Sequence, residues 1–121
     1  MRTVLVVEDS LTQQAMISSL LKQKGLKVAV ANDGIEALEK VEASHPDLVL
    51  LDIVMPGMNG YECCRRLKSN PKTNQIPVVM CSSKSEQFDR YWGLKQGADA
   101  YLAKPFDPKE LFSTLKHLLR K

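Results

Sequence analysis

The acidic residue Asp52 stands where a carboxylate could do chemistry. Four apolar residues lead directly into it in the segment LVLLD, and the turn-forming residues MPG and NG follow within a few positions. An acid at the end of a strand is often only a turn or capping residue. Whether Asp52 does more depends on which other polar side chains reach the same place.

Polar residues also follow the other apolar segments of the chain. These residues are Glu8 and Asp9 after the first segment, Asn32 and Asp33 after the second, Ser82 and Ser83 after the fourth, and Lys104 after the fifth. Ligands of open parallel sheets bind at the carboxyl ends of the strands, so these side chains would share one edge. If the first and third strands are neighbours, Glu8, Asp9 and Asp52 crowd together.

Such a set of side chains fits phosphoryl transfer. Three carboxylates that are close together repel one another, and burial raises their pKa values. They become favourable together when they share a hard divalent cation, and Mg²⁺ prefers oxygen ligands. An aspartate can attack phosphorus to give an aspartyl phosphate, while a lysine and a hydroxyl stabilise the phosphoryl oxygens.

Short apolar segments alternate along the chain with amphipathic ones. The pattern predicts strands at 3–7, 27–31, 47–51, 76–81 and 99–103, and helices at about 11–24, 34–43, 60–69, 85–96 and 108–119. Five successive strand–helix units indicate an α/β fold, in which a doubly wound parallel sheet carries helices on both faces.

The helical segments also suggest which residues begin each helix and which face the core. Ser10 and Gln13 have the spacing of a capping box, in which each side chain bonds the backbone N–H of the other residue. The stripes expected to face the core are Leu11, Ala15, Ile17 or Ser18, and Leu21 in the first helix, Ile35, Leu38 and Val41 in the second, and Phe88 and Trp92 in the fourth.

Composition indicates one globular domain over residues 1–121, with 44% hydrophobic and 26% charged residues. The net charge is only +3 and the basic residues are scattered, which argues against nucleic-acid binding. Neither a signal peptide nor an apolar run of roughly 18 residues is present, so we expect a cytoplasmic protein without membrane insertion. Cys63, Cys64 and Cys81 are expected as reduced packing residues, and His45 and His117 as surface residues.

Four motifs together resemble the response-regulator receiver domains of the CheY-like family over essentially the whole chain. They are VVEDS, LVLLDIVMPGMNGYE, PVVMCSS and GADAYLAKPF. The resemblance implies a flavodoxin-like three-layer sandwich with strand order 2-1-3-4-5. Within the family, the segment SSKSEQFDRYWGLKQGADAYLAKPF is most similar to stand-alone receivers of type IV pilus and twitching-motility systems, the PilH type.

The resemblance implies a phosphoacceptor and a metal site. Asp52 would be the phosphoacceptor. Asp9 and Glu8 would hold Mg²⁺ together with Asp52, and the backbone carbonyl of Val54 would complete the protein ligands.

It also implies a set of residues that respond to the phosphoryl group. Lys104, before a cis Pro105, would contact that group. Ser82 would hydrogen-bond to it, and Tyr101 would be the aromatic switch that swings inward as Ser82 moves. Ser83 is the competing hydroxyl, and spacing favours Ser82.

The function implied is that of a stand-alone response regulator in a two-component phosphorelay. A histidine kinase would be the phosphodonor, and the protein would not be an enzyme beyond assisting its own phosphorylation and dephosphorylation. The sequence ends at Lys121, after the last helix, so output is expected through protein contacts or as a phosphate sink. Contacts would use the face made by helix 4, strand 5 and helix 5, in a monomer or weak dimer. Twitching motility, phototaxis or chemotaxis are the pathways considered.

Three alternatives accompany this interpretation. A pseudo-receiver would bind partners without phosphorylation, which the complete residue set argues against. A flavodoxin-like cofactor site is disfavoured because the first turn, VVEDSLT, is acidic and lacks glycine. A haloacid-type aspartyl phosphatase would need a second Asp at position 54, where Val54 stands. By family resemblance, Val54 and Lys84 influence hydrolysis of the acyl phosphate, and Val54 predicts slow self-dephosphorylation.

Overall fold

The computed structural model describes residues 2–83 and 87–120. In these residues five strands alternate with five helices. The strands are β1 (Thr3–Val7), β2 (Lys27–Ala31), β3 (Leu48–Asp52), β4 (Val78–Ser82) and β5 (Ala100–Ala103), and the helices are α1 (Leu11–Gln23), α2 (Gly34–Ser44), α3 (Gly60–Ser69), α4 (Gln87–Lys95) and α5 (Pro108–Leu119). The predicted α/β fold is confirmed.

All strand pairs are parallel, and the strands are arranged in the order β2-β1-β3-β4-β5. β1 lies between β2 and β3, with Val7 paired to Ala31 on one side and to Leu51 on the other. The chain reverses its direction of winding at β1, which makes the gap between β1 and β3 the switch point of the sheet. The expected strand order is therefore confirmed.

The two faces of the sheet carry separate apolar cores. Along β1, Leu5 and Val7 belong to one core and Val4 and Val6 to the other, as expected for a strand buried on both faces. Helices α2 and α3 cover the first core, while α1 and α5 cover the second. These three layers position the strand ends that form the site.

The core-facing side of α1 differs from the prediction. Leu11 is 73% exposed and Ala15 is also exposed, whereas Gln14, Ile17 and Leu21 are buried. The helix rests on the sheet through positions spaced by three and four residues, which still form one helical face. Leu11 and Ala15 lie outside that face, so their assignment to the core was wrong.

Ile35 in α2 and Trp92 in α4 were also wrongly assigned to the core, since their exposed fractions are 62% and 44%. α4 approaches the sheet through Gly93, where an added Cβ would lie 2.9 Å from Met80 Sδ. Trp92 precedes this contact and faces outward. The predicted start of α4 near residue 85 and the side chain of Phe88 lie outside the described part of the chain.

The expectations for the cysteines and the histidines are confirmed. All three cysteines are buried free thiols, and burial raises the pKa of each above its ordinary value. His45 and His117 are exposed. Across residues 2–83 and 87–120, none of the helices has the length and apolar character needed to cross a lipid bilayer.

Candidate functional site

A cleft of about 560 Å³ opens at the carboxyl edge of the sheet. Parallel strands bring their carboxyl ends to one edge, which is why residues far apart in sequence meet there. The lining residues are Glu8, Asp9, Ser10, Gln13, Met16, Asp52, Val54, Ser82, Ser83, Lys104, Pro105 and Phe106. The structure thus brings the predicted ends of β1, β3, β4 and β5 into one cavity.

Glu8, Asp9 and Asp52 form an acidic cluster in this cleft. One carboxylate oxygen from each residue lies within 4.8 Å of the other two. Glu8 and Asp52 are buried, and Asp9 is exposed at the mouth. Their proximity follows from the pairing of β1 with β3, the condition on which the sequence prediction depended.

Lys104 is the cation that faces this cluster from the end of β5. Its Nζ lies 2.5 Å from Glu8 Oε1 and 3.3 Å from Asp52 Oδ1. The Lys104 backbone N–H donates to the Ser82 carbonyl at 2.9 Å, and the bond to Pro105 is cis, as predicted. The ammonium group is therefore directed into the cleft from the sheet itself.

The acids outnumber this cation, and the pKa of Asp52 reflects the surplus. Burial raises the pKa of Asp52 from 3.8 to about 6, the charge of Lys104 opposes the rise, and that of Glu8 adds to it. Burial alone would lower the pKa of Lys104, but its hydrogen bond with Glu8 and the neighbouring acids carry it above its ordinary value. The cleft thus holds negative charge that Lys104 only partly neutralises.

Ser82 and Tyr101 lie beside the cluster and contact each other. Ser82 is the last residue of β4 and is buried, whereas Ser83 is exposed at the cleft wall. Tyr101 is only 6% exposed, its hydroxyl is hydrogen-bonded to the Ser82 side chain, and burial raises the pKa of that hydroxyl to about 12. The Tyr101 ring therefore already points inward in this structure. The family resemblance implied that the ring swings inward only when Ser82 moves. The guanidinium carbon of Arg90 lies 5.3 Å from the centroid of the Tyr101 ring.

The loop after Asp52 contains two glycines, Gly57 in the predicted turn and Gly60 at the start of α3. Gly57 adopts a φ of 74°, a left-handed conformation that favours glycine. A Cβ on Gly60 would collide with the Asp52 carbonyl oxygen and lie 2.7 Å from Ile53 Cα. Gly60 therefore lets α3 start directly against the end of β3. Val54, in the loop between them, lines the cleft with an exposed side chain.

Gln13 of α1 lines the cleft and its neighbour Gln14 bonds to the backbone of Glu8, and neither was predicted as a site residue. Ser10 Oγ accepts from the Gln13 backbone N–H at 3.3 Å, so the predicted N-cap is present. The capping box also predicted that the Gln13 side chain accepts the Ser10 N–H, and this prediction was wrong. The Ser10 N–H donates to Glu8 Oε2 at 3.1 Å, and Gln13 Oε1 accepts from Lys104 Nζ at 2.5 Å. Gln14 Nε2 donates to the Glu8 carbonyl at 2.5 Å, which anchors α1 to the end of β1.

The donor set of the acidic cluster fits a hard divalent cation. Its groups are carboxylate oxygens, which Mg²⁺ prefers, and their spacing lets one ion contact several of them. A cation there would also supply the positive charge that the buried Asp52 lacks. The other predicted protein ligand, the Val54 carbonyl, belongs to a residue of the same cleft wall.

Comparison with known proteins places this geometry among signalling domains. The family model described as the response regulator receiver domain matches residues 4–116. Protein PilH of Pseudomonas aeruginosa is 37% identical over 119 residues, which cover 98% of this chain and 98% of PilH. The structure of the Vibrio cholerae chemotaxis protein CheY4 is similar with a TM-score of 0.91 and 32% identity, covering 98% of each chain.

Two further comparisons bear on the site and on chain length. The receiver domain of the sensor histidine kinase PA1611 from Pseudomonas aeruginosa was solved with magnesium coordinated in its active site cleft. It is 30% identical, with a TM-score of 0.92, and the match covers 99% of this chain and 98% of that one. The chain spans about half the length of longer relatives such as the DNA-binding response regulator MtrA of Mycobacterium tuberculosis, at 42% identity over 98% of this chain and 50% of MtrA.

Proposed function

The chain belongs to the response regulator receiver domain family, and from that premise we propose that it accepts a phosphoryl group on Asp52 from a histidine kinase, with Mg²⁺ as cofactor. The observation that carries the proposal is the meeting of the acidic cluster, Lys104 and Ser82 around one buried aspartate. Magnesium is coordinated in the cleft of the related PA1611 domain, which supports its use here.

The residues of the cleft divide the transfer between them. An Asp52 carboxylate oxygen attacks phosphorus, the O–P bond forms, and the P–N bond to the kinase histidine breaks, with its electron pair returning to the imidazole. Lys104, 3.3 Å from Asp52 Oδ1, stabilises charge on the phosphoryl oxygens, and Ser82 donates its hydroxyl to them. Bound Mg²⁺ would neutralise the charge that accumulates between Asp52, Asp9 and Glu8.

The signal would leave the site through Ser82 and Tyr101. Movement of Ser82 toward a phosphoryl group disturbs its hydrogen bond with Tyr101, whose ring packs against α4 at Gly93. On α4, the exposed side chains of Tyr91, Trp92 and Leu94 provide an apolar surface for a downstream protein. We assign partner binding to the face made by α4, β5 and α5.

The proposed setting is a cytoplasmic two-component pathway of the twitching-motility or chemotaxis type. The match to PilH covers nearly all of both chains and favours a stand-alone regulator acting by protein contact or as a phosphate sink. Such a protein turns over no substrate of its own and only assists its own phosphorylation and dephosphorylation. It would act as a monomer or weak dimer.

Intact-mass measurement after incubation with acetyl phosphate and Mg²⁺ tests this proposal. We expect one added phosphoryl group on the wild type, none on Asp52→Asn, and unchanged uptake by Asp99→Asn, which has the same substitution at the opposite edge of the sheet. Loss of uptake when Mg²⁺ is chelated would support the cofactor. Absence of wild-type uptake both from acetyl phosphate and from a panel of histidine kinases would favour a binding module that works without phosphorylation.

A further inference from the structure

Gln13 reaches the cleft from the first turn of α1. A glutamine three residues after an N-cap serine ordinarily bonds back to the backbone N–H of that serine. Here Glu8 Oε2 accepts that N–H at 3.1 Å, and the side-chain Oε1 of Gln13 accepts from Lys104 Nζ at 2.5 Å. The side-chain amide of Gln13 therefore does not take part in the cap and instead bonds to Lys104.

The ammonium group of Lys104 has three N–H donors. In the described part of the chain they face Glu8 Oε1, Gln13 Oε1 and Asp52 Oδ1 at 2.5, 2.5 and 3.3 Å. The Lys104 side chain is largely buried, so water replaces a lost partner only poorly. The position of Nζ is thus set jointly by two carboxylates and one amide.

The two carboxylates are also the groups that phosphoryl transfer would use. A divalent cation held by the acidic cluster would draw on Glu8, and phosphorylation would convert Asp52 to an acyl phosphate. The side-chain amide of Gln13 is neutral and lies outside that cluster, so neither cation binding nor phosphorylation of Asp52 would remove its bond to Lys104. Gln13 is the partner that Lys104 can keep in every state of the site.

We infer that Gln13 is a positioning residue of the phosphoryl-transfer site: its side-chain Oε1 holds the Lys104 ammonium beside Asp52 when a cation competes for Glu8. The inference rests on the proposed function of Asp52. Gln13 acts through Lys104 and contacts no reacting atom. The alternative is that Gln13 only stabilises the start of α1, which would leave Lys104 and the reaction unaffected.

Gln13→Met tests the inference because methionine has nearly the same length and lacks a strong acceptor. Gln23→Met is the matched control, since Gln23 is exposed at the far end of the same helix. Gln13→Glu restores an oxygen acceptor for Lys104. The main readout is the NMR signal of the Lys104 ammonium protons, which is visible only when hydrogen bonds slow their exchange with water, recorded with and without Mg²⁺.

With Mg²⁺, we expect the Lys104 signal to weaken or vanish in Gln13→Met and to persist in wild type, Gln23→Met and Gln13→Glu. The rate of phosphorylation by acetyl phosphate should fall about 3- to 10-fold in Gln13→Met and stay unchanged in Gln23→Met. The affinity of Gln13→Met for Mg²⁺ should change less than about 2-fold. An unchanged signal, or equal rates in the two methionine variants, would overturn the inference. A loss of Mg²⁺ affinity that accounts for the whole rate effect would overturn it too. Failure of wild type to take up a phosphoryl group from acetyl phosphate and from a panel of histidine kinases would instead count against the proposed function.

Discussion

The two edges of the sheet carry charged networks of opposite design. At the amino edge, Lys68 and Asp99 pair one to one at 2.9 Å. Lys68 also donates to the Ile76 carbonyl at 3.0 Å, and Asp99 accepts the Val78 N–H at 2.8 Å. This network joins α3 to the starts of β4 and β5, and its charges balance.

At the carboxyl edge three acids face Lys104, and the buried Asp52 has its pKa raised to about 6. Among the residues that the structure describes, Lys104 is the only cation paired with these acids. The difference indicates two roles for charged residues. Charges that are paired one to one and bonded to the backbone stabilise the fold, whereas acids in excess of their cation leave a site able to bind a further cation. Removing a charge should accordingly have opposite effects on stability at the two edges.

The largest stability loss is expected for Asp99→Ala. The substitution leaves the Val78 N–H and the Lys68 ammonium without their carboxylate, so the free energy of unfolding should fall by about 2 kcal/mol. Urea unfolding with and without Mg²⁺ measures the change, which should not depend on the ion. A loss below about 0.5 kcal/mol would mean that the amino-edge network contributes no more than a surface ion pair.

Asp52→Asn should act in the other direction in Mg²⁺-free buffer. A carboxyl group whose pKa is raised on folding favours the protonated form in the folded state, so wild type loses stability as pH rises from about 4 to about 6. The Asp52→Asn variant avoids this loss, and we expect it to be more stable than wild type by about 2 kcal/mol at pH 8 and nearly equal at pH 4. Unfolding curves at these two pH values, with Asp99→Asn as the matched control, measure the difference. A lower stability for Asp52→Asn at pH 8 would contradict the assigned surplus of negative charge.

The sequence allowed the strands, the fold class and the edge at which the site forms to be predicted, because alternating apolar segments and strand-end acids are local signals. Strand order came from family resemblance and not from the pattern. Leu11, Ile35 and Trp92 were wrongly predicted to face the core. The rotation of a helix about its axis depends on how it packs against the sheet, as at the close approach of Gly93, and the sequence pattern does not encode this packing. The role of Gln13 was hidden because its partner lies 91 positions away and its spacing matched a capping box.

A smaller effect is expected at Val54, which lines the carboxyl-edge cleft with an exposed apolar side chain. Valine cannot orient an attacking water, whereas asparagine can. We expect the phosphorylated Val54→Asn protein to lose its phosphoryl group several-fold faster than wild type, a change of about 1 kcal/mol in the barrier. Intact mass followed over time after removal of acetyl phosphate measures both decays, and equal rates would refute this role. Lys84, the other residue expected to affect lifetime, lies outside the described part of the chain.

The most direct test of the surplus charge at the carboxyl edge is the free energy of unfolding as a function of Mg²⁺ concentration at pH 8. Binding to the folded state alone stabilises wild type in proportion to the logarithm of ion concentration above the dissociation constant. We predict this gain for wild type and for Asp99→Asn, and a much smaller one for Asp52→Asn. Equal stabilisation of all three proteins, or none of wild type, would contradict the assignment of the acidic cluster as a cation-dependent site.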